Sequence, residues 1–178
     1  MKDKFFPQFE AQLEGVAGKT IAVTGCTSGT GFQCAMTAAK KGATVIMLNR
    51  PSDRVAAAEH EVAAANPDAT IVAIECDLTS FESTRAAAAA IKQRFGDTGL
   101  DVLCCNAGVM ACADEATCDG FDVQIQTNHL SHFLLQCELF PLLQLAAHQR
   151  GEARIVNHSS LARNGVPLEE RYFRPNGG

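Results

Sequence analysis

The order of apolar and amphipathic runs predicts an α/β fold built on a doubly wound parallel sheet, and three observations predict it. Five short apolar runs, 20–24, 43–48, 70–75, 101–105 and 154–158, alternate with helix-like runs at 29–41, 52–66, 80–95 and somewhere within 119–150. The apolar runs are rich in Val and Ile, as suits strands covered on both faces. The first runs straight into Thr24-Gly25-Cys26-Thr27-Ser28-Gly29-Thr30-Gly31, a glycine turn that opens an Ala-rich segment. Strands joined by right-handed helical crossovers form a parallel sheet of the Rossmann type.

Residues 1–17 form an N-terminal extension before the first strand. At the glycine turn, Gly25 can take the tight bend, Gly29 lets backbone approach a pyrophosphate, and Gly31 lets the helix pack on the strand. The first helical N–H groups, around Thr27, Ser28, Gly29 and Thr30, have no intrahelical partner. The helix dipole adds partial positive charge there, so the junction binds phosphate without a basic side chain. Taken alone, the glycines fit a plain strand-to-helix turn equally well. Gly42 is expected to stop the first crossover helix, Ser52 and Ser80 to cap the next two, and Gly96 to end the third. Ala86–Ala90 needs no explanation beyond helix propensity. Pro141, inside the long helical pattern, is expected to kink or split it.

The 178 residues suffice for one domain with a substantial core. A hydrophobic content of 47% with 20% charged residues is that of an ordinary globular chain. The net charge of -5 argues against a nucleic-acid partner. No apolar run approaches the roughly 20 residues that span a bilayer, and Met1–Pro7 is too short for a secretory signal. Eight cysteines include no CxxC pair and no His at zinc-finger spacing. Reduced thiols in a cytoplasmic setting, with no metal site, are the expectation. His129 and His132 lie three apart on a helix but lack a third ligand, and Asp114 with Glu115 reads as a solvated loop.

The strand ends carry the rest of the chemistry. NAD-selective folds place Asp or Glu about 20 residues past the glycines, on the ribose 2′-OH. Here Asn49-Arg50 follows the second strand, uncharged and then cationic. A guanidinium fork suits a 2′-phosphate, so NADP(H) is favoured over NAD(H). Asp77 after the third strand is placed to accept the adenine amino group, with Leu78 packing near the ring. Asn106-Ala107-Gly108 after the fourth is small enough for close approach to a cofactor, and Asn106 can also brace the turn through backbone bonds.

With TGCTSGTG, CDL, CCNAGVM, TNHLSHFLL and RIVNHSSLA in this order, the chain resembles the short-chain dehydrogenase/reductase family over about residues 18–163. The nearest likeness is to its retinol-dehydrogenase-like and WW-domain-oxidoreductase-like branch. The resemblance implies hydride transfer between nicotinamide and a lipophilic alcohol or carbonyl substrate. It implies that Asn128 holds a water in a proton relay and that Ser160, rather than Ser159, hydrogen-bonds the substrate oxygen. It also implies a tyrosine followed four residues later by a lysine, whose ammonium draws a phenol of pKa about 10 toward working range. The only tyrosine is Tyr172, with Asn176 in the lysine's place and Pro175, Gly177 and Gly178 against a continuing helix.

The expectation is therefore a chain truncated before the catalytic helix and last strands, with 164–178 the start of a loop insertion. Such a chain would bind cofactor without turnover. The alternative is a non-catalytic dinucleotide-binding or interaction module. In the family's sheet order, 3-2-1-4-5-6-7, strand 154–158 becomes an edge, so the isolated chain is expected to be unstable or self-associating. The Leu-rich segment 133–145 is the expected homo-oligomer face.

Overall fold

The computed structural model describes residues 6–165 and 167–175. Strands β1 (Thr20–Thr24), β2 (Thr44–Asn49), β3 (Ile71–Glu75), β4 (Val102–Cys105) and β5 (Arg154–Asn157) form one sheet in the order β3-β2-β1-β4-β5. Every pairing is parallel, with Val23 level with Met47 on one side and Cys104 on the other. Helix α1 (Phe6–Gln12) precedes the sheet; α2 (Gly29–Lys40), α3 (Asp53–Ala65) and α4 (Phe81–Phe95) make the crossovers. The last crossover begins as one turn, α5 (Val123–Ile125), passes through a π-helical turn at Gln126–Leu130 and becomes α6 (Ser131–Arg150).

Side chains alternate across each strand, so two cores form. Ile21, Val23, Val45 and Met47 pack with Ala35, Ala38, Ala58 and Val62 of α2 and α3. Ala22, Ile46, Leu48 and Leu103 pack with Ile91 of α4 and Leu135 and Leu139 of α6. Helices following β1 and β4 therefore lie on opposite faces. Between those two strands the chain diverges, which opens a crevice at their carboxyl ends. At the opposite edge, the buried Asp101 carboxylate accepts the Thr20 N–H (2.7 Å) and Arg150 Nε (2.6 Å), tying β1 to the end of α6.

Two expectations hold by position and two need correction. Ser80 and Ser52 are the N-caps of α4 and α3, Ser80 accepting the Ser83 N–H and Ser52 making no side-chain bond. Gly96 ends α4 as its C-cap, right-handed at φ −58°, and the left-handed residue beyond it is Gly99 (φ 75°), where a Cβ would meet Ala146 N at 2.8 Å. Pro141 does not split α6, which runs from Ser131 to Arg150. Pro141 and Cys137 are both exposed, so the carbonyl that the proline leaves unbonded faces water. Finally, Val123–Arg150 is long enough, and over an 18-residue stretch with a mean hydropathy of 1.2 apolar enough, to cross a membrane by length and composition. Its leucines 135, 139, 142 and 143 are core residues here, which accounts for that composition.

Among the described residues β5 pairs only with β4 and is an edge, with Val156 48% exposed. Phe133 and Phe140 on α6 are exposed as well.

Candidate dinucleotide site

The β1–α2 loop is shaped by close backbone approaches. Gly25 has φ 71°, donates its N–H to Leu48 O (2.9 Å), and would meet Ala107 Cα at 2.9 Å if it carried a Cβ. A Cβ on Gly31 would collide with the Gly25 carbonyl and the Asn106 side-chain amide. Gly31 thus seats the first turn of α2 on the loop, and alanine has no room there. Gly29 differs: φ is 58°, and a Cβ there would meet nothing within 4 Å. Ser28, Gly29 and Thr30 are exposed and Thr27 is half-buried. Ser28 is the N-cap in extended geometry without a side-chain bond to the helix, so the opening N–H groups of α2 face open space.

Asn49 is buried at the end of β2, where its Oδ1 accepts the Cys26 N–H at 2.6 Å. Its Nδ2 has no partner among the described residues. Cys26 itself is buried, and burial pushes its thiol up to about 12. Arg50 is exposed. Beside the loop lies a groove of about 320 Å³ lined by Thr27, Ser28, Phe32 and Arg54 among others. Arg54 was missed in the sequence; its place four residues after Arg50, in the first turn of α3, was the available signal.

At the end of β3, Asp77 Oδ1 accepts both the N–H (2.9 Å) and the hydroxyl (2.8 Å) of Thr79, closing a small turn. Leu78, expected to pack near the ring, is 6% exposed. It is buried in the core with Ala87 and Leu135, and its carbonyl accepts the Ser131 hydroxyl at 2.7 Å, pinning the start of α6. Asn106 takes the bracing role: Nδ2 donates to Thr24 O (2.9 Å) and Gly25 O (3.3 Å), and Oδ1 lies 3.1 Å from His158 Nδ1. The backbone N–H groups of Asn106 and Ala107 both donate to Thr24 Oγ1 at 2.9 Å.

Asn128 lies in the π-helical turn and clamps both backbone groups of Val109. Its Oδ1 accepts Val109 N–H and its Nδ2 donates to Val109 O, each at 2.8 Å. Gly108 permits this approach, since a Cβ there would stand 3.3 Å from Asn128 Oδ1. His132, one turn on, is buried with Nε2 2.9 Å from Thr24 Oγ1. Ser159 and Ser160 are exposed in the loop that follows β5, at the carboxyl edge. Tyr172 stands in a 3₁₀ turn (Glu170–Phe173) with its hydroxyl accepting from Arg171 Nη2 at 3.1 Å and Arg171 over its ring. Phe173 meets His129 edge-on at 5.9 Å, so this turn leans on the α5–α6 junction. Asn176, the position four after Tyr172, lies outside the described residues, as do Gly177 and Gly178.

These features fit a dinucleotide. The helix opening is uncovered, a buried amide donor is unpaired among the described residues at the end of β2, and the groove beside it carries Arg54 together with Glu61.

The comparisons agree with that geometry. A family model described as short chain dehydrogenase matches residues 19–172. Human retinol dehydrogenase 13 is 37% identical over 147 residues, which cover 83% of this chain and 43% of the human protein. Short-chain dehydrogenase/reductase drtF of Aspergillus calidoustus is 35% identical over 90% of this chain and 52% of its own length. The chain thus spans about half the length of these curated relatives. Among solved structures, the Pseudomonas aeruginosa RhlG/NADP active-site complex superposes with a TM-score of 0.70 at 27% identity, over 91% of this chain and 62% of that one.

Proposed function

The chain belongs to the short-chain dehydrogenase family, and on that premise we propose that it binds NADP(H), in preference to NAD(H), across the carboxyl edge of its sheet. The protein it represents is read as an oxidoreductase acting on small lipophilic alcohols or carbonyl compounds. The observation that carries this reading is the pairing of open N–H groups at Ser28–Thr30 with a β2 end that carries Asn49 and Arg50 in place of a carboxylate, beside a groove lined by both Arg54 and Glu61. Anionic phosphates are stabilised at such a helix opening, and a guanidinium fork matches a 2′-phosphate. The RhlG complex, whose ligand is NADP, supports the same cofactor class.

When bound, the nicotinamide supplies the hydride donor or acceptor. The chain's own groups do the rest. Gly25 and Gly31 hold the loop in register, Asn106 keeps β1 and β4 together beneath it, and Asn49 has amide hydrogens to spare for a ribose oxygen. Asp77 would take the adenine amino group, and Ala107 and Gly108 leave room beside the cofactor. Ser160 would orient the substrate oxygen, and Asn128, whose side chain bonds the Val109 backbone, would order the relay water. The exposed Phe133 and Phe140 are the face through which a homo-oligomer would form.

A second reading, a dinucleotide-binding module without turnover, draws on Tyr172: its cationic neighbour is the adjacent Arg171, with asparagine four positions on. Both readings expect the 178 residues alone to bind without reducing substrate. The test is fluorescence titration of the chain with NADPH and NADH, followed by an aldehyde-reduction assay. NADPH should bind tighter than NADH, Gly29→Asp should abolish binding, and an Arg50→Gln/Arg54→Gln pair should erase the preference. Equal affinity for the two cofactors would sink the NADP(H) assignment, and turnover at an enzymatic rate would make Tyr172 or another group the proton donor. A YxxxK helix encoded past Gly178 would decide for the enzyme over the module.

A further inference from the structure

We propose that His132 is a positioning residue of the dinucleotide site, holding the β1 and β4 ends in register with the π-helical turn that carries Asn128. The proposal rests on the dinucleotide reading above and extends it to a side chain that touches neither cofactor nor substrate.

The proton order is fixed by the partners. His132 Nδ1 lies 3.2 Å from the Asn128 carbonyl oxygen, which can only accept, so Nδ1 carries the hydrogen. Burial lowers the pKa of His132 from its ordinary value, which keeps the ring neutral. Nε2 is then an acceptor, and the hydrogen on Thr24 Oγ1 points to it across 2.9 Å in preference to Cys104 O at 3.4 Å. The two lone pairs of the same hydroxyl take the Asn106 and Ala107 N–H groups, both at 2.9 Å. The result is a single directed chain: β4-loop amides to Thr24, Thr24 to His132, His132 to the backbone of Asn128.

Its members come from three separate elements, and Thr24 and His132 stand 108 residues apart in sequence. Ala107 is the atom group against which Gly25 is packed too closely for a Cβ. A shift of Ala107 therefore displaces the glycine loop itself. No other side chain among the described residues bonds Thr24 Oγ1, so without the ring the hydroxyl can turn to Cys104 O and the Asn128 carbonyl loses its side-chain donor.

The test measures NADPH affinity of the full chain beside its melting temperature in Thr24→Val, Thr24→Ser, His132→Leu and the Thr24→Val/His132→Leu pair. Thr24→Val and His132→Leu should each weaken NADPH binding by about fivefold or more, the equivalent of one ordinary net hydrogen bond. The double variant should lose little beyond either single one, and Thr24→Ser, which keeps the hydroxyl, should rescue affinity. Variants that melt lower yet, while still folded, bind NADPH within about twofold of the unsubstituted chain would overturn the proposal and leave a merely structural histidine. If His132→Leu does not fold, the valine and serine variants decide alone. Absence of NADPH binding by the unsubstituted chain would instead overturn the dinucleotide reading, and this proposal with it.

Discussion

An alanine at Gly31 and an alanine at Gly29 add the same methyl two residues apart, and the structure gives the two methyls different surroundings. At Gly31 the methyl collides with the Gly25 carbonyl and the Asn106 amide, both held by the β1–β4 junction. Overpacking of this kind costs about 1–3 kcal/mol. Displacing Asn106 from Thr24 O forfeits roughly another 1 kcal/mol, while alanine's helix propensity returns a similar amount. The net loss is about 1–3 kcal/mol out of a domain stability of about 5–15 kcal/mol. At Gly29 the methyl meets nothing, and only the left-handed φ of 58° is penalised, by about 1–2 kcal/mol. The decisive difference is in binding. Gly31→Ala deforms the loop and should lower the urea midpoint and NADPH affinity together. Gly29→Asp should melt near Gly29→Ala but lose NADPH, because its carboxylate occupies the phosphate's approach. Urea denaturation and fluorescence titration on the four proteins check this. A Gly31→Ala chain as stable and as avid as the parent, or a Gly29→Asp chain that keeps its affinity, would refute the reasoning.

Two further outcomes follow from side chains outside the loop. Asp101→Asn removes the charge that holds Thr20 N–H and Arg150 and should destabilise by about 2–4 kcal/mol, read as a lower urea midpoint with far-UV signal unchanged at zero urea; a loss under about 1 kcal/mol would mean solvent replaces the carboxylate. Cys34 shares a hydrogen bond with Cys104 that brings its thiol down to about 7, while the same bond and burial push Cys104 up. Iodoacetamide labelling followed by peptide mapping should therefore show Cys34 alkylation rising through neutral pH. A Cys34 profile that rises only in the range of an ordinary thiol would remove the thiolate assignment.

The five strands, their crossovers and the glycine turn were legible because each is written locally. Strand runs are apolar over a few residues, glycine marks positions where a side chain has no room, and Ser80 caps the helix that begins beside it. Asn106 was legible in part, since a turn asparagine commonly braces backbone. Other features had no local signature. Arg54 lines the groove because the start of α3 packs beside the β1–α2 loop, Leu78 turns into the core because α4 and α6 cover it, and Pro141 is tolerated because its side of α6 faces water. In the sequence Asp101 was only the first residue of a strand run, and His132 only one of a histidine pair without a third ligand. By itself, then, the sequence determined the alternation of strands and helices and the glycine turn between β1 and α2. Only the tertiary structure decided which polar groups complete one another there, because a hydrogen bond between Thr24 and His132 depends on packing that brings together segments 108 residues apart, and no short-range pattern encodes that distance.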